Sequence, residues 1–501
     1  MIKTFKDKIL PAKKIFLLFL LLLAVSLGVR CYRPKALTIF LDDQARDVLT
    51  AAQILKEGRI PFIGPMASIG NLYLGPFFYW LITPFLWLAN FDPVGPILLV
   101  AFLGWLANII LFFLLEKYFN LRSAFIGAFL YALSPLIIHN SRFIWNPNPV
   151  PLFTLIFLWF FLEFWEKGRP KSFFWLGVSL GVLIQLHYVT GVLFLVCLAG
   201  YLVWVFKNRD KDWVNLLKPA AFLILGIVLP LIPFILFEFK NHFINTQAGW
   251  RFIFGPSSNQ ERLFSPSQAF FGLWSRLSKE ALVVDWAWAY FILSFLAFLG
   301  LLIRKIPVRT KRLIWVVSLT FLFGLLATVL IIKGQIHLHY LGLLMPLFFI
   351  IIAGADYFWQ KSRIFNRPIL ALVNFLAILL ILFPMIREDH KFLFKQGDNQ
   401  QINRAREISF WIADQSEDKN IFVTSLSGSP YAYTYRYYLY LAGFVTDSLQ
   451  PSSVFAICEG GNCGDPEGHA LWEIAQFGVL KTVQAKQVGY GVWVYELKPA
   501  Q

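Results

Sequence analysis

The sequence predicts a mainly α fold: a polytopic α-helical membrane bundle of about 11 spans, with interfacial helices in its first external loop and a small external C-terminal α/β domain. Three observations lead there. Hydrophobic residues make up 58% of the 501 and charged residues 15%, with mean hydropathy +0.62, which is more apolar than a single soluble core of this length can hide. The apolar residues gather in runs close to the ~20 needed to cross a hydrocarbon core. Beyond about residue 387 both features stop and the chain becomes polar.

In order, the candidate spans are 14–30, 94–115, 122–139, 150–165, 172–188, 190–206, 218–238, 286–303, 313–332, 340–359 and 368–386. The basic start before the first run resembles a signal peptide, but no small-x-small cleavage site follows, so the run is read as an uncleaved span. A further apolar stretch, Gly75 to Ala89, is shorter and carries Pro76 and Pro84. Charge decides its role. Lys3, Lys6, Lys8, Lys13 and Lys14 put the N-terminus in the cytoplasm. If 75–89 does not cross, the Lys/Arg-rich loops around 117–122, 167–171, 207–218, 304–312 and 361–367 all face the cytoplasm; if it crosses, all of them lie outside. The stretch is therefore read as a re-entrant or interfacial helix, and the C-terminal end as external.

The chain then divides into a membrane module, 1–386, in the cytoplasmic (inner) membrane, and an external domain, 387–501. The second has a helical pattern at Arg404–Ala413 and β-type runs at Ile421–Thr424 and Gly491–Tyr495, enough for a small α/β unit. Cys458 and Cys463 could close a disulfide loop if this part faces an oxidising compartment. The net charge of +16 sits between apolar runs and forms no basic face with interleaved aromatics, which argues against nucleic acid. No Cys/His spacing suits structural zinc.

The least expected feature is Asp42-Asp43-Gln44-Ala45-Arg46-Asp47, a charged cluster on the first polar segment after the first span. Charge this close to lipid marks function more often than solubility. A solvated helix start is the plainer explanation for Asp42 and Asp43, and ion pairing with Arg46 the plainer one for Asp47. On the same predicted side lie Arg142, Gln185, His187, Glu238, Lys333, His337, His339 and Tyr340. Together a carboxylate base and a ring of basic and imidazole groups suit group transfer from a phospholipid-type donor. The predicted cytoplasmic segments hold no nucleotide-binding glycine loop, and HExxH is missing from the sequence.

Asp43-Gln44-Ala45-Arg46-Asp47, then Gly64-Pro65-Met66-Ala67-Ser68, Gly75-Pro76-Phe77-Phe78-Tyr79-Trp80, Ser134-Pro135 and Ser141-Arg142-Phe143-Ile144-Trp145-Asn146-Pro147-Asn148 resemble the bacterial polytopic glycosyltransferases related to protein O-mannosyltransferases and lipid A aminoarabinose transferases, over roughly residues 10–350. The resemblance implies an inverting hexosyl- or pentosyltransferase with a dolichyl- or undecaprenyl-phosphate-sugar donor and a first-loop aspartate as base. Asp43 best matches that position and Asp42 ranks second. The acceptor is a lipid, a glycan or a protein. Relatives acting on lipid A often carry Lys-Pro-Pro where this chain has Leu74-Gly75-Pro76. Arg46, Arg142, His187, Lys333, His337, His339 and Tyr340 are accordingly the candidates for substrate contact. No metal ligands are assigned, and assistance by a divalent cation stays open. The alternatives are a flippase of lipid-linked sugars and a membrane scaffold with an external interaction domain.

Overall fold

The computed structural model describes residues 10, 12–67, 72–255, 264–331, 337–361, 367–461 and 463–500. Each predicted apolar run is helical: α1 Lys13–Cys31, α4 Val94–Tyr118, α5 Leu121–Ala132 continued after Pro135 by α6 Pro135–Asn140, α7 Val150–Lys167, α8 Pro170–Leu186, α9 Val192–Lys207, α10 Trp213–Lys240, α13 Ala287–Gly300, α14 Val308–Ile331, α15 Leu344–Lys361 and α16 Arg367–His390. Among the described residues, five helices are by themselves long and apolar enough to cross a membrane. The others are shorter or carry charges at their ends, so it is the bundle that identifies them. The stretch read as non-spanning is the 12-residue helix α3, Phe77–Leu88, lying beside α2, Asp42–Glu57.

The segment between α10 and α13, unassigned from sequence, adds α11, Ile244–Phe254, and α12, Pro266–Leu282. α12 is amphipathic, starts on a Ser265 cap and meets α13 at 100°. The corner falls at Val283, which takes φ +60°, a left-handed conformation that a β-branched residue rarely adopts.

Packing explains the order of the bundle. α15 is buried from Leu344 to Tyr357 and forms its axis. Near one end its Asp356 accepts hydrogen bonds from Ser123, Gln360 and Asn374 and pairs with Arg122, while Glu166 takes the Tyr118 hydroxyl and the Lys117 ammonium. These are the residues of the predicted cytoplasmic loops and their helix ends, gathered at one end of the bundle. α10 leans on α8 through glycines. A Cβ on Gly226 would lie 2.1 Å from the Phe174 carbonyl oxygen, and one on Gly177 2.2 Å from that of Leu223. The rest of α10 is largely uncovered, as expected of a lipid-facing helix.

The C-terminal unit holds α17, Gln401–Gln415, α18, Tyr433–Leu441, and four strands: β1 Phe422–Ser425, β2 Val454–Glu459, β3 Leu480–Gly489 and β4 Val492–Pro499. Their order is β1-β2-β4-β3, parallel between β1 and β2 and antiparallel elsewhere. β3 and β4 join through Tyr490 and Gly491, both at positive φ, which suits a two-residue turn whose twist matches the strands. Cys458 and Cys463 form a disulfide. α18 is wedged between this sheet and α2. Its Tyr437 hydroxyl reaches the Phe91 carbonyl, Tyr440 bonds Glu57, and the Lys56 ammonium donates to the Leu441 carbonyl.

Candidate functional site

α2 positions the charged cluster. Ala45, Val48, Ala51 and Ala52 are fully buried along one stripe, so the helix is fixed in rotation. Gln44 accepts from the Leu41 amide and closes the first turn. Asp43 and Arg46, three residues apart, share a face, and the Arg46 Nη1 donates to Asp43 Oδ1 at 2.8 Å. The Arg46 Nε and Nη2 both donate to Asp47 Oδ1, at 3.1 and 2.9 Å. Asp47 is fully buried, the Arg46 side chain 23% exposed and that of Asp43 52% exposed. One carboxylate therefore holds the guanidinium from inside while the other meets solvent.

The electrostatics follow from burial. Desolvation raises Asp47 to about 6 against the pull of Arg46. For Arg46, burial works to lower the pKa, but the Asp47 and Asp43 carboxylates outweigh it and keep the guanidinium charged.

Asp43 and Arg46 stand on the wall of a cavity of about 430 Å³. Its other walls are Met66, Leu72 and Leu74 from the first loop, Trp145 and Asn146 before α7, His187 and Tyr188 after α8, Phe234 on α10, Asn245, Thr246 and Phe252 on α11, and His339 and Tyr340 before α15. Most of this lining is apolar. The first-loop wall is a hairpin: the Gly64 amide donates to Leu74 O at 2.7 Å and the Leu74 amide to Pro65 O at 2.9 Å. Gly64 and Gly75 are steric requirements. A Cβ on Gly64 would stand 2.2 Å from the Gly75 carbonyl oxygen, and one on Gly75 2.2 Å from Gln185 Cγ.

The imidazoles are neutral donors. Burial pushes His187 down to about 4. Its Nδ1 accepts the Val189 amide, which leaves the ring proton on Nε2. Burial, then the neighbouring His187 and His337, lowers His339 to about 3. Its ring lies 4.3 Å from that of Trp145 and 5.8 Å from that of His187. Among the described lining residues, Arg46 is thus the one fixed positive charge.

Of the residues singled out in the sequence, Asp43, Arg46, His187, His339 and Tyr340 come together on this wall. His337 stacks on His339 at 5.5 Å without lining the cavity. Lys333 lies outside the described residues. Asp42 turns away: its Oδ1 accepts from the Thr434 amide at 3.3 Å and the Thr434 hydroxyl at 3.2 Å, tying α2 to α18. Burial pushes its carboxyl up, against hydrogen bonds from Ser429 and Thr434.

Arg142 requires a correction. It is buried away from the cavity and donates to the carbonyls of Val29, Arg30 (2.9 Å) and Tyr32, the unpaired acceptors at the end of α1. It is a helix cap, and its partners there compete with any phosphate for its donors. Conversely, Asn245 and Thr246 were missed. Asn245 takes the Tyr73 amide at 2.6 Å and donates to Tyr188 Oη at 3.0 Å, so it staples the hairpin to α11. Glu238 fixes that staple by accepting the Asn245 and Thr246 amides at 3.1 and 2.8 Å. The sequence signal was Glu238 at the outer end of a long apolar run. Among the described residues, no group of three or more His, Cys, Asp or Glu is placed to hold a metal ion.

Residues 74–237 match the sequence model of the dolichyl-phosphate-mannose-protein mannosyltransferase family. No curated protein matches the chain. Among solved structures, ArnT from Cupriavidus metallidurans bound to undecaprenyl phosphate superposes with a TM-score of 0.62 at 12% identity, covering 97% of this chain and 98% of that one. The chain has the ArnT fold. Arabinofuranosyltransferase AftD from Mycobacteria matches at 0.55 and 14% identity over 96% of this chain and 40% of its own length. The oligosaccharyltransferase of Archaeoglobus fulgidus, in complex with Zn and sulfate, matches at 0.50 and 13% over 80% of this chain and 56% of its own. The ArnT match extends through the C-terminal unit, so bundle, hairpin and sheet are one arrangement. The resemblance read from the first-loop and Ser141–Asn148 motifs is borne out by these matches.

Proposed function

We propose that the chain transfers a sugar from a polyprenyl-phosphate donor to an acceptor hydroxyl on the outer side of the cytoplasmic membrane, with inversion and with Asp43 as general base. The observation that carries the reading is the placing of Asp43 against Arg46 on the wall of a mostly apolar cavity. The ArnT structure of the same fold holds undecaprenyl phosphate, which makes a lipid phosphate the natural occupant here too.

In this mechanism Asp47 holds the Arg46 Nε and Nη2, leaving Nη1 to choose between Asp43 and an incoming phosphate. A bound phosphate takes Nη1 and frees the Asp43 carboxylate. Asp43 then accepts the acceptor's hydroxyl proton as the oxygen attacks the anomeric carbon, and the bond from that carbon to the phosphate oxygen breaks on the opposite face. The leaving phosphate stays paired with Arg46. His187 and His339, neutral, contribute hydrogen bonds rather than charge. Residues 1–386 form the transferase module and 387–501 an external domain. The Cys458–Cys463 disulfide and the docking of α18 on α2 support one outer side for both, with the N-terminus in the cytoplasm.

The test uses purified protein, a labelled polyprenyl-phosphate sugar and cell-envelope material. The wild type should release polyprenyl phosphate and label an acceptor. Asp43→Asn should lose roughly 10²–10⁴-fold in turnover while still binding donor. Turnover within threefold of wild type would end the assignment.

A further inference from the structure

The C-terminal unit meets α2 at Asp42, the neighbour of Asp43. Between β1 and α18 the chain runs through Pro430, Tyr431, Ala432 and Tyr433, and both sides of this short segment are tied down. The Pro430 carbonyl accepts the Thr424 hydroxyl at 2.9 Å and the Ser425 amide at 3.4 Å. Thr434 is held by Asp42, through amide and hydroxyl. Ala432, between the tyrosines, takes φ +51°, a left-handed conformation that non-glycine residues avoid unless their surroundings impose it.

Tyr431 stands out in this setting. It is 51% exposed on a segment otherwise pinned, and its ring runs nearly parallel to that of Tyr433, with 26° between planes and 5.7 Å between centroids. Tyr433 packs by its other side against the membrane core, and its hydroxyl feels the charges of Arg436, Arg46 and Asp42. The pair therefore extends from beside the α2–α18 contact outward to solvent. Other tyrosines of the same stretch do structural work: Tyr437 and Tyr440 bind Phe91 and Glu57, and Tyr435 binds Glu459. Among the described residues Tyr431 makes no comparable polar bond, and it is half exposed to water.

We propose that Tyr431 and Tyr433 form the acceptor platform of the transferase, and that the acceptor is a carbohydrate whose apolar C–H face stacks on the rings with a hydroxyl directed at Asp43. This rests on the transferase reading above and names its substrate class. Flat, rigid aromatic faces recognise a sugar ring at low ordering cost, because the tyrosines are already held in place. A flexible protein or lipid acceptor gains less from such a platform. Tyr431 is then a specificity-determining residue supplied by the C-terminal unit to a site built in the membrane module.

The experiment takes the full-length protein with a labelled polyprenyl-phosphate sugar as donor and envelope material from cells lacking this chain as acceptor. Label should enter a protease-resistant, carbohydrate-containing product. Tyr431→Ala should raise KM for the envelope acceptor tenfold or more with donor KM unchanged, and Tyr431→Phe, which keeps the stacking face, should restore it to within twofold. Label in a protease-sensitive protein or a sugar-free lipid, or a Tyr431→Ala enzyme with wild-type acceptor KM, overturns the proposal while leaving the transferase reading standing. Absence of any polyprenyl phosphate release by the wild type overturns both. Folding of each variant is checked by its thermal midpoint, which an exposed side chain should leave unmoved.

Discussion

Replacing Arg142 by glutamine should weaken the fold without weakening the hold on donor. The guanidinium is buried and donates to the Val29, Arg30 and Tyr32 carbonyls at the end of α1, with the Phe392 ring 5.5 Å from its central carbon. Burial lowers its pKa to about 10, which still leaves it charged at neutral pH. Hydrogen bonds to a charged donor contribute about 1.5–3 kcal/mol each, so the three together would give roughly 5–9 kcal/mol if nothing opposed them. The cost of keeping a guanidinium out of water, relieved in the variant, offsets part of this. A net loss of about 3–5 kcal/mol remains, more than a hundredfold in the folded-to-unfolded ratio. Lysine, a point charge without the planar fork, should recover only part of it. The assay is the fraction of monodisperse protein surviving a heating series in detergent, followed by donor KM on the survivors. A lowered midpoint with donor KM within twofold of wild type is the expected result. An Arg142→Gln protein that melts like the wild type but binds donor tenfold more weakly would refute the capping account.

Other perturbations separate further parts of the reasoning. Gly226→Leu puts a side chain where even a Cβ meets the Phe174 carbonyl at 2.1 Å, so α10 must shift from α8; a loss of about 1–3 kcal/mol in thermal stability and a raised donor KM should follow. Asp47→Asn removes the inner anchor of Arg46 and should raise donor KM more than it lowers kcat, measured by polyprenyl phosphate release. His187 is held neutral, with a folded pKa of about 4 against about 6.5 when unfolded. Its contribution to stability is therefore complete above pH 6.5, declines as the pH falls and levels off below 4. His187→Phe should flatten the corresponding slope of thermal midpoint against pH, with His339 still titrating beside it. Replacing Cys458 and Cys463 by serine opens a five-residue loop and should cost the C-terminal unit about 2 kcal/mol by chain entropy, read as earlier proteolysis of that unit, with donor KM unchanged.

Much of this architecture is written in local composition. Long apolar runs and the lysines and arginines between them suffice to find the helices and to set 75–89 aside, because both signals act within a few residues of each span. Asp43 ranks above Asp42 by motif position, and the structure shows where the two side chains go: the rotation of about 100° between consecutive helical residues sends Asp43 to the cavity and Asp42 to Thr434. Arg142 misled because an arginine beside Trp145 reads alike whether it meets a ligand or carbonyls at the end of a helix 110 or more residues away. β3 was illegible for a different reason: as an edge strand with both faces partly wet, its Lys481, Gln484 and Lys486 break the alternation that marks a half-buried strand. Asn245 gave no signal, since its work is to join segments that lie 172 residues apart in sequence.

The bond between Asp42 and Thr434 closes a separation of 392 residues. On a ribosome that distance is time. The first loop is synthesised early, yet the partners that fix α2, including Thr434, Tyr440 and the Leu441 carbonyl, are synthesised late. A nascent chain can insert every helix of the bundle while its charged cluster still lacks these anchors, which arrive when the C-terminal unit folds back onto α2. A chain stopped after its last span would keep the cavity walls and lose the clasp.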